Sequence, residues 1–318
     1  MRHSNRRKQN KIKNIKRARV TVLFIVVAII VVMGSAIIAQ KFSASKQSVQ
    51  ALDNNANQDK NQDSNGSEVK SEVPSKDLSK ESSSEVEDVA FVENYLNQQM
   101  KNKKPDGADG KKVVYLTFDD GPSETVTPQI LDILKSENVH ATFFLVGKAI
   151  NESDTTKNLV KRELADGNAI GNHTYSHNYT YLYPNGKINL ENCMSDFEKT
   201  NQILKDVLGQ DFSTRAVRFP GGQMTWGKKD PKGVEKMDAA LHDKDYHQVD
   251  WNALSGDAEE GGPKNAAQLT QELIKTVTGR EKAVILMHDT YGKEETAKAL
   301  PGIIKYLKDQ GYEFKIMK

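Results

Sequence analysis

From residue 111 to the C-terminus, short apolar runs alternate with amphipathic segments, and most of the runs end in a cluster of polar residues. Few folds accept that pattern. Runs at 113–118, 141–146, 168–171, 216–219, 247–251, 283–287 and 312–317 read as strands, with helical stretches near 125–137, 155–166, 190–208, 232–243, 265–278 and 293–309. Alternation of this kind builds a parallel sheet covered by helices. Ile130, Ile133 and Leu134 in the first helix, and Met194, Phe197, Ile203, Leu204 and Leu208 in the third, recur at the spacing of one buried stripe. The expectation is an α/β domain: a distorted or incomplete (β/α) barrel of about seven βα units, with its chemistry at the C-terminal ends of the strands.

The N-terminal part has a different organisation. Residues 1–19 hold nine Lys or Arg and no acid, which leaves 36 basic against 43 acidic residues in the rest of the 318-residue chain. The formal +2 is therefore a basic tip on an acidic protein, which argues against a nucleic-acid-binding face. Residues 20–39 (VTVLFIVVAIIVVMGSAIIA) carry no charge. A helix of that length crosses a bilayer core of about 30 Å. Lys and Arg stay on the cytoplasmic side, so the rest of the chain is expected outside the cell, anchored by a single pass. A cleaved signal peptide is the alternative, although secretory apolar regions run to only about 7 to 15 residues. Residues 40–100 read as an extracellular linker, rich in Ser, Asn, Asp, Gln, Lys and Glu and too polar to bury a core over most of its length. Within it, 88–100 reads as a short helix that either packs on the domain or continues the tether. The domain itself is assigned to 101–318.

The polar residues at the strand ends form a small set. Asp119 and Asp120 end the first strand in FDDGPS, His173 and His177 follow the third in HTYSH, and Arg218 opens RFPGG after the fourth. Asp250-Trp251 closes the fifth strand and His288-Asp289 the sixth. Adjacent carboxylates repel unless a cation compensates, and two imidazoles at i, i+4 can converge on one ion. Asp120, His173 and His177 thus read as ligands of one divalent metal ion. Two imidazoles and a carboxylate suit zinc first, cobalt or another divalent ion also being compatible, and leave a coordination position for water. Each segment alone could be an ordinary turn or surface loop; their joint placement at strand ends speaks for a site. A hydrolytic site needs a base and an acid. Asp119 reads as the base, held ionised by Arg218, and His288 as the acid, with Asp250 as the group that raises its pKa. Cys193, the lone cysteine, excludes a disulfide framework and is assigned to packing; no GxSxG segment supports a serine hydrolase.

TFDDGPS, ATFFLVG (141–147), GNHTYSH, RFPGG, VDW and ILMHD, in that order, resemble the NodB-type polysaccharide deacetylases of carbohydrate esterase family four. The resemblance covers roughly residues 111–318. It implies the same roles for Asp119, Asp120, His173, His177, Arg218, Asp250 and His288. It further implies that Trp251 and Leu286 line a pocket for the acetyl methyl, and that the Pro220-Gly221 segment contacts substrate, with the Gly221 N–H facing an oxyanion. Many members carry an Arg-Pro-Pro-Tyr-Gly type segment where this chain has Arg218-Phe219-Pro220-Gly221-Gly222. The backbone donor survives that change and the aromatic side chain does not; Trp226 is a candidate replacement as a stacking face.

The layout of anchor, tether and catalytic domain resembles Gram-positive peptidoglycan N-acetylglucosamine deacetylases. The implied partner is a cell-surface amino-sugar polymer, peptidoglycan first, with removal of its N-acetyl groups as acetate. Poly-N-acetylglucosamine, chitin-like oligomers, muramic acid residues and O-acetylated xylan remain alternatives, as does a glycan-binding adhesion module without turnover.

Overall fold

The computed structural model describes residues 85–259 and 261–318. The expected cytoplasmic segment, the anchor and residues 40–84 of the polar linker lie outside those residues. Among the described residues no helix is long and apolar enough to cross a membrane.

The chain runs β1 (Val86–Glu87), α1 (Val89–Met100), β2 (Val113–Asp119), α2 (Thr127–Glu137), β3 (Thr142–Leu145), α3 (Gly147–Ile150), α4 (Asp154–Ala165), β4 (Ala169–Asn172), α5 (Tyr179–Leu182) and α6 (Leu190–Leu208). It continues through β5 (Ala216–Val217), α7 (Gln223–Lys229), α8 (Pro231–His242), β6 (His247–Gln248), β7 (Ala253–Leu254), α9 (Ala266–Val277), β8 (Lys282–His288), α10 (Glu294–Asp309), β9 (Glu313–Phe314) and β10 (Ile316–Met317). The main sheet has the order β6-β5-β4-β3-β2-β8-β7, with β9 also on β2, and its pairings are parallel.

The expected strand at 247–251 is shorter, β6 covering only His247–Gln248, and the next strand, β7, lies at the opposite end of that sheet. β6 pairs with β5 and β7 with β8, and only residues 249–252 separate them. Four intervening residues reach at most about 18 Å, so the sheet must curl until its two edges almost meet. The result is a barrel left open at one seam. Alternation along the strands sorts the side chains: Leu116, Phe118, Ile285 and Met287 join the cluster under the outer helices, whereas Val113, Tyr115 and Val284 belong to a second, inner cluster.

α1 occupies the inner cluster's far end, and here the expected boundary of the domain moves. Val89, Val92 and Leu96 pack against Val113, Tyr115, Phe144, Val284 and Met317, the Val89 N–H donates to the Lys318 carbonyl at 2.9 Å, and β1 pairs with β10. An apolar stripe at i, i+3, i+7 has found a barrel mouth to close, so residues 86–100 are part of the folded body rather than of the linker. Cys193 sits in a third cluster with Phe197, Phe219 and Trp226, its thiol pushed up to about 12 by burial, as a packing residue should be.

Candidate active site

β2 and β8 run side by side in register, with Thr117 opposite Leu286 and Asp119 opposite His288. The pairing places the two expected proton-transfer groups on neighbouring strands at the same height. The next residues turn away sharply: Asp120 has φ +71°, as do Thr174 at +68° and His177 at +47° in the loop after β4. L-residues seldom adopt this left-handed region, and such residues gather where surrounding structure holds a site in place. What holds them is visible. The Ser176 N–H and hydroxyl both donate to the Asp196 carboxylate of α6 (2.8 and 2.6 Å), and the Thr174 N–H to Asn172 Oδ1 (2.9 Å). Gly121 is required by contact, since a Cβ there would lie 2.2 Å from an Asp289 carboxylate oxygen.

Asp120, His173 and His177 converge. Asp120 Oδ1 lies 3.1 Å from His177 Nε2 and 3.4 Å from His173 Nε2, the three donor atoms falling within 4.8 Å of one another. Asp120 Oδ1 is buried with no hydrogen-bond partner among the described residues. His173 Nδ1 sits 2.8 Å from the Arg218 carbonyl, which can only accept, so that nitrogen carries the proton and Nε2 presents its lone pair to the carboxylate. Burial, then the neighbouring His177, pushes His173 down to about 3, keeping it neutral. A lone pair facing an orphaned buried carboxylate oxygen fits a cation between them, and the N₂O donor set fits a divalent ion such as zinc.

Arg218 lies wholly buried inside the barrel, with every nitrogen engaged. Its Nε donates to the Val249 carbonyl (2.7 Å), Nη1 to Thr117 Oγ1 (2.8 Å) and Asp119 Oδ1 (2.7 Å), and Nη2 to the Asp250 carbonyl (3.3 Å). The guanidinium therefore ties the segment that crosses from β6 to β7 to strand β2 while fixing one Asp119 oxygen. Burial raises the pKa of Asp119 above the usual carboxylate range, with Arg218 and His288 opposing.

Two expectations need correction. Asp250 does not touch His288: its carboxylate accepts the N–H groups of Gln223 (2.8 Å) and Met224 (2.7 Å) and the Gln248 amide (2.5 Å), which secures the turn after RFPGG. The partner of His288 is Asp257, unforeseen from sequence. Asp257 Oδ1 lies 2.9 Å from His288 Nδ1, while its Oδ2 accepts the His288 N–H and the Thr296 hydroxyl, both at 2.8 Å. Burial alone lowers an imidazole, but Asp257 outweighs it and His288 is raised to about 9. Nor is Trp226 a stacking face. It is buried, stacked on Tyr183 at 3.8 Å, and donates from Nε1 to the Pro220 carbonyl (3.0 Å), so it anchors the loop from beneath.

An exposed aromatic next to the Asp120–His177 cluster is Tyr179, also missed. Its ring stands edge-on to His177 at 5.5 Å, and a Cβ at Gly221 would lie 3.1 Å from its hydroxyl, so it flanks the position where the RFPGG segment lacks a side chain. The available signal was the tyrosine-rich stretch 179–183 just after His177. Gly221 has φ +79°, and no acceptor takes its N–H among the described residues. Pro220 is buried. Trp251 is half-buried beneath Gly222, where a Cβ would come within 2.7 Å of its ring, and Leu286 faces inward two residues before His288. An open depression of about 560 Å³, lined in part by Pro122, Tyr175, Thr290 and Tyr291, lies beside this cluster.

A profile of the polysaccharide deacetylase family matches residues 106–228. A peptidoglycan-N-acetylglucosamine deacetylase of Bacillus cereus is 33% identical over 222 residues, 68% of this chain and 74% of that protein. One of Listeria monocytogenes is 32% identical over 232 residues, 72% of this chain but 44% of the longer relative. Among solved structures, a Streptococcus mutans CE4 esterase superposes with a TM-score of 0.65 at 37% identity, covering 75% of this chain and 94% of that one.

Proposed function

The chain belongs to the polysaccharide deacetylase family, and from that premise we propose that it hydrolyses N-acetyl groups of a cell-surface amino-sugar polymer, N-acetylglucosamine of peptidoglycan first, releasing acetate. The observation that carries the reading is the orphaned Asp120 Oδ1 faced by two imidazole nitrogens, with a buried carboxylate–arginine pair on one side and a carboxylate–imidazole pair on the other. The substrate assignment is supported by the Bacillus and Listeria relatives, which bear that name.

Asp120, His173 and His177 would hold the divalent ion, which when bound supplies Lewis acidity that polarises an amide carbonyl and acidifies a water molecule. Asp119 takes the proton of the attacking water on Oδ2, the oxygen that Arg218 leaves open. The Gly221 N–H stabilises the oxyanion that develops on the carbonyl oxygen, an interaction typically worth about 3 kcal/mol. His288 Nδ1 is committed to Asp257, so Nε2 delivers a proton to the leaving nitrogen as the C–N bond breaks. Trp251 and Leu286 line the space for the acetyl methyl, and Tyr179 offers a face to the sugar. A membrane anchor at residues 20–39 with the domain outside the cell is part of the proposal, supported by the uncharged run and the basic residues before it.

The test is acetate release from wall fragments and from chito-oligosaccharides by the chelated protein, before and after a divalent ion is restored. Loss and recovery are expected. Full activity in metal-stripped protein rejects the mechanism, and turnover of chito-oligosaccharides without turnover of wall fragments rejects the substrate.

A further inference from the structure

A second donor cluster lies on the edge of the barrel, and its starting point is an anomaly in α1. Glu93 occupies i+4 from Val89 on the helix's buried stripe, where an apolar residue belongs, and is only 6% exposed. A buried carboxylate needs compensation. Its surroundings are two histidines from separate elements: His242 at the C-terminal end of α8 and His247 in β6. His242 Nε2 lies 3.1 and 2.9 Å from the two Glu93 oxygens, and His247 Nδ1 lies 2.8 Å from Oε2. The Gln248 N–H donates to Oε1 at 3.1 Å, which fixes the carboxylate's orientation.

We propose that Glu93, His242 and His247 form a second divalent-cation site, which fastens α1 to the β6 edge of the barrel. The three donor atoms fall within 4.8 Å of one another, and the set of two imidazoles and one carboxylate repeats that of Asp120, His173 and His177. An ion suited to one is suited to the other. His247 has a carboxylate at each ring nitrogen, Glu93 at Nδ1 and Asp245 at Nε2 (3.2 Å). A neutral imidazole has one N–H and can serve only one of them. The contacts at Nε2 call for opposite tautomers, since Asp245 can only accept and Arg215 Nη2 (3.2 Å) can only donate; a bound ion would select the proton on Nε2, toward Asp245, and take the Nδ1 lone pair, as when an outer carboxylate orients a metal-binding histidine. Arg215 pairs with Asp245 (2.8 Å) and also approaches His247 Nε2 (3.2 Å), and Asp238 adds a further carboxylate one turn before His242 on α8. Arg215 is shared with Asp88 as well (3.3 Å), so four carboxylates face one guanidinium and leave negative charge that a divalent ion offsets. Exposed His242 gives the ion its entry and leaves coordination positions for water.

The test is a Co²⁺ titration of detergent-solubilised, metal-stripped full chain, read by stoichiometry and by the visible absorption of the bound ion. Two equivalents are expected for the unaltered chain and one for His177→Ala, which removes only the deacetylase site. His242→Gln, at an exposed position outside the catalytic machinery, should also bind one, with at least a tenfold loss of affinity for the other and deacetylase activity retained. In the His177→Ala background, the ion should raise the melting temperature, and adding His242→Gln should abolish the rise. A single equivalent in the unaltered chain that disappears with His177→Ala overturns the proposal, as does a second equivalent indifferent to His242→Gln. An equivalent lost with His242→Gln alongside none assignable to His177 would sustain this site and refute the deacetylase site, so the two readings fail separately.

Discussion

Replacing Asp257 by Asn removes the charge that holds His288 protonated while keeping an oxygen for its Nδ1–H. The pair meets at 2.9 Å in a buried setting. With charge centres about 4 Å apart and an effective dielectric near 20, the attraction is about 4 kcal/mol. At about 1.4 kcal/mol per unit, that is a ceiling of about 3 pK units. The asparagine oxygen recovers part of the interaction, so a drop of roughly 1 to 2 units is expected. His288 acts as an acid in the proposed mechanism, hence activity falls as pH rises through its pKa, and the alkaline limb of kcat/KM should move down by that amount. The assay is acetate release across pH 5 to 10, with both proteins loaded with the same ion so that its field cancels in the comparison. A variant that loses activity uniformly, with the limb unmoved, would refute the assignment of His288 as acid and Asp257 as its partner. The fold should respond over the same window. The folded pKa of about 9 exceeds the unfolded value of about 6.5, so this stabilisation is complete below the lower figure and disappears as pH rises through the upper. The gap in melting temperature between the native and Asn proteins should narrow accordingly.

Arg218→Met should leave the Asp119 carboxylate buried without its counter-charge, at a cost of about 3 to 5 kcal/mol in urea unfolding together with loss of turnover; a loss below about 1 kcal/mol would refute the bridging role. Tyr179→Ala should raise KM for oligosaccharides about tenfold, as expected for a lost ring contact of about 1.4 kcal/mol, with a smaller change in kcat; an unchanged KM removes Tyr179 from the sugar path. Leu96→Ala should lower unfolding free energy by about 2 to 5 kcal/mol while sparing activity at room temperature, because α1 lies at the barrel end away from the site; no loss of stability would mean that α1 unfolds independently.

The parts of the molecule legible in the sequence are those encoded locally. Strand ends announce themselves where an apolar run stops at a carboxylate or imidazole, and the His173/His177 spacing carries its own chemistry. The parts that escaped depend on distant segments. Residues 247–251 look like one strand because Val249 and Trp251 alternate with polar neighbours, yet the chain leaves one sheet edge after Gln248 and joins the other at Ala253. Asp257 follows in a stretch without period, and its partner is 31 residues away. Trp226 reads in sequence as a sugar-facing aromatic and Tyr179 goes unremarked, and only packing decides that the first is covered and the second is not. In α1 the apolar spacing is plain, but a stripe does not say what it will lie against.

The register of β2 with β8 has one more outcome. Because Asp119 and His288 stand opposite each other on one rung of a hydrogen-bonded ladder, the gap between the proposed proton taker and proton giver is dictated by backbone geometry. Tyr179, which opens the short helix α5 within the β4-to-α6 loop region, and the Pro220–Gly222 bend lie on loops outside that ladder. Such loops can be remodelled for new sugars, lengthened or stripped of aromatics, while the cleavage chemistry stays at a constant gauge, so this scaffold can change what it reads without relearning how to cut.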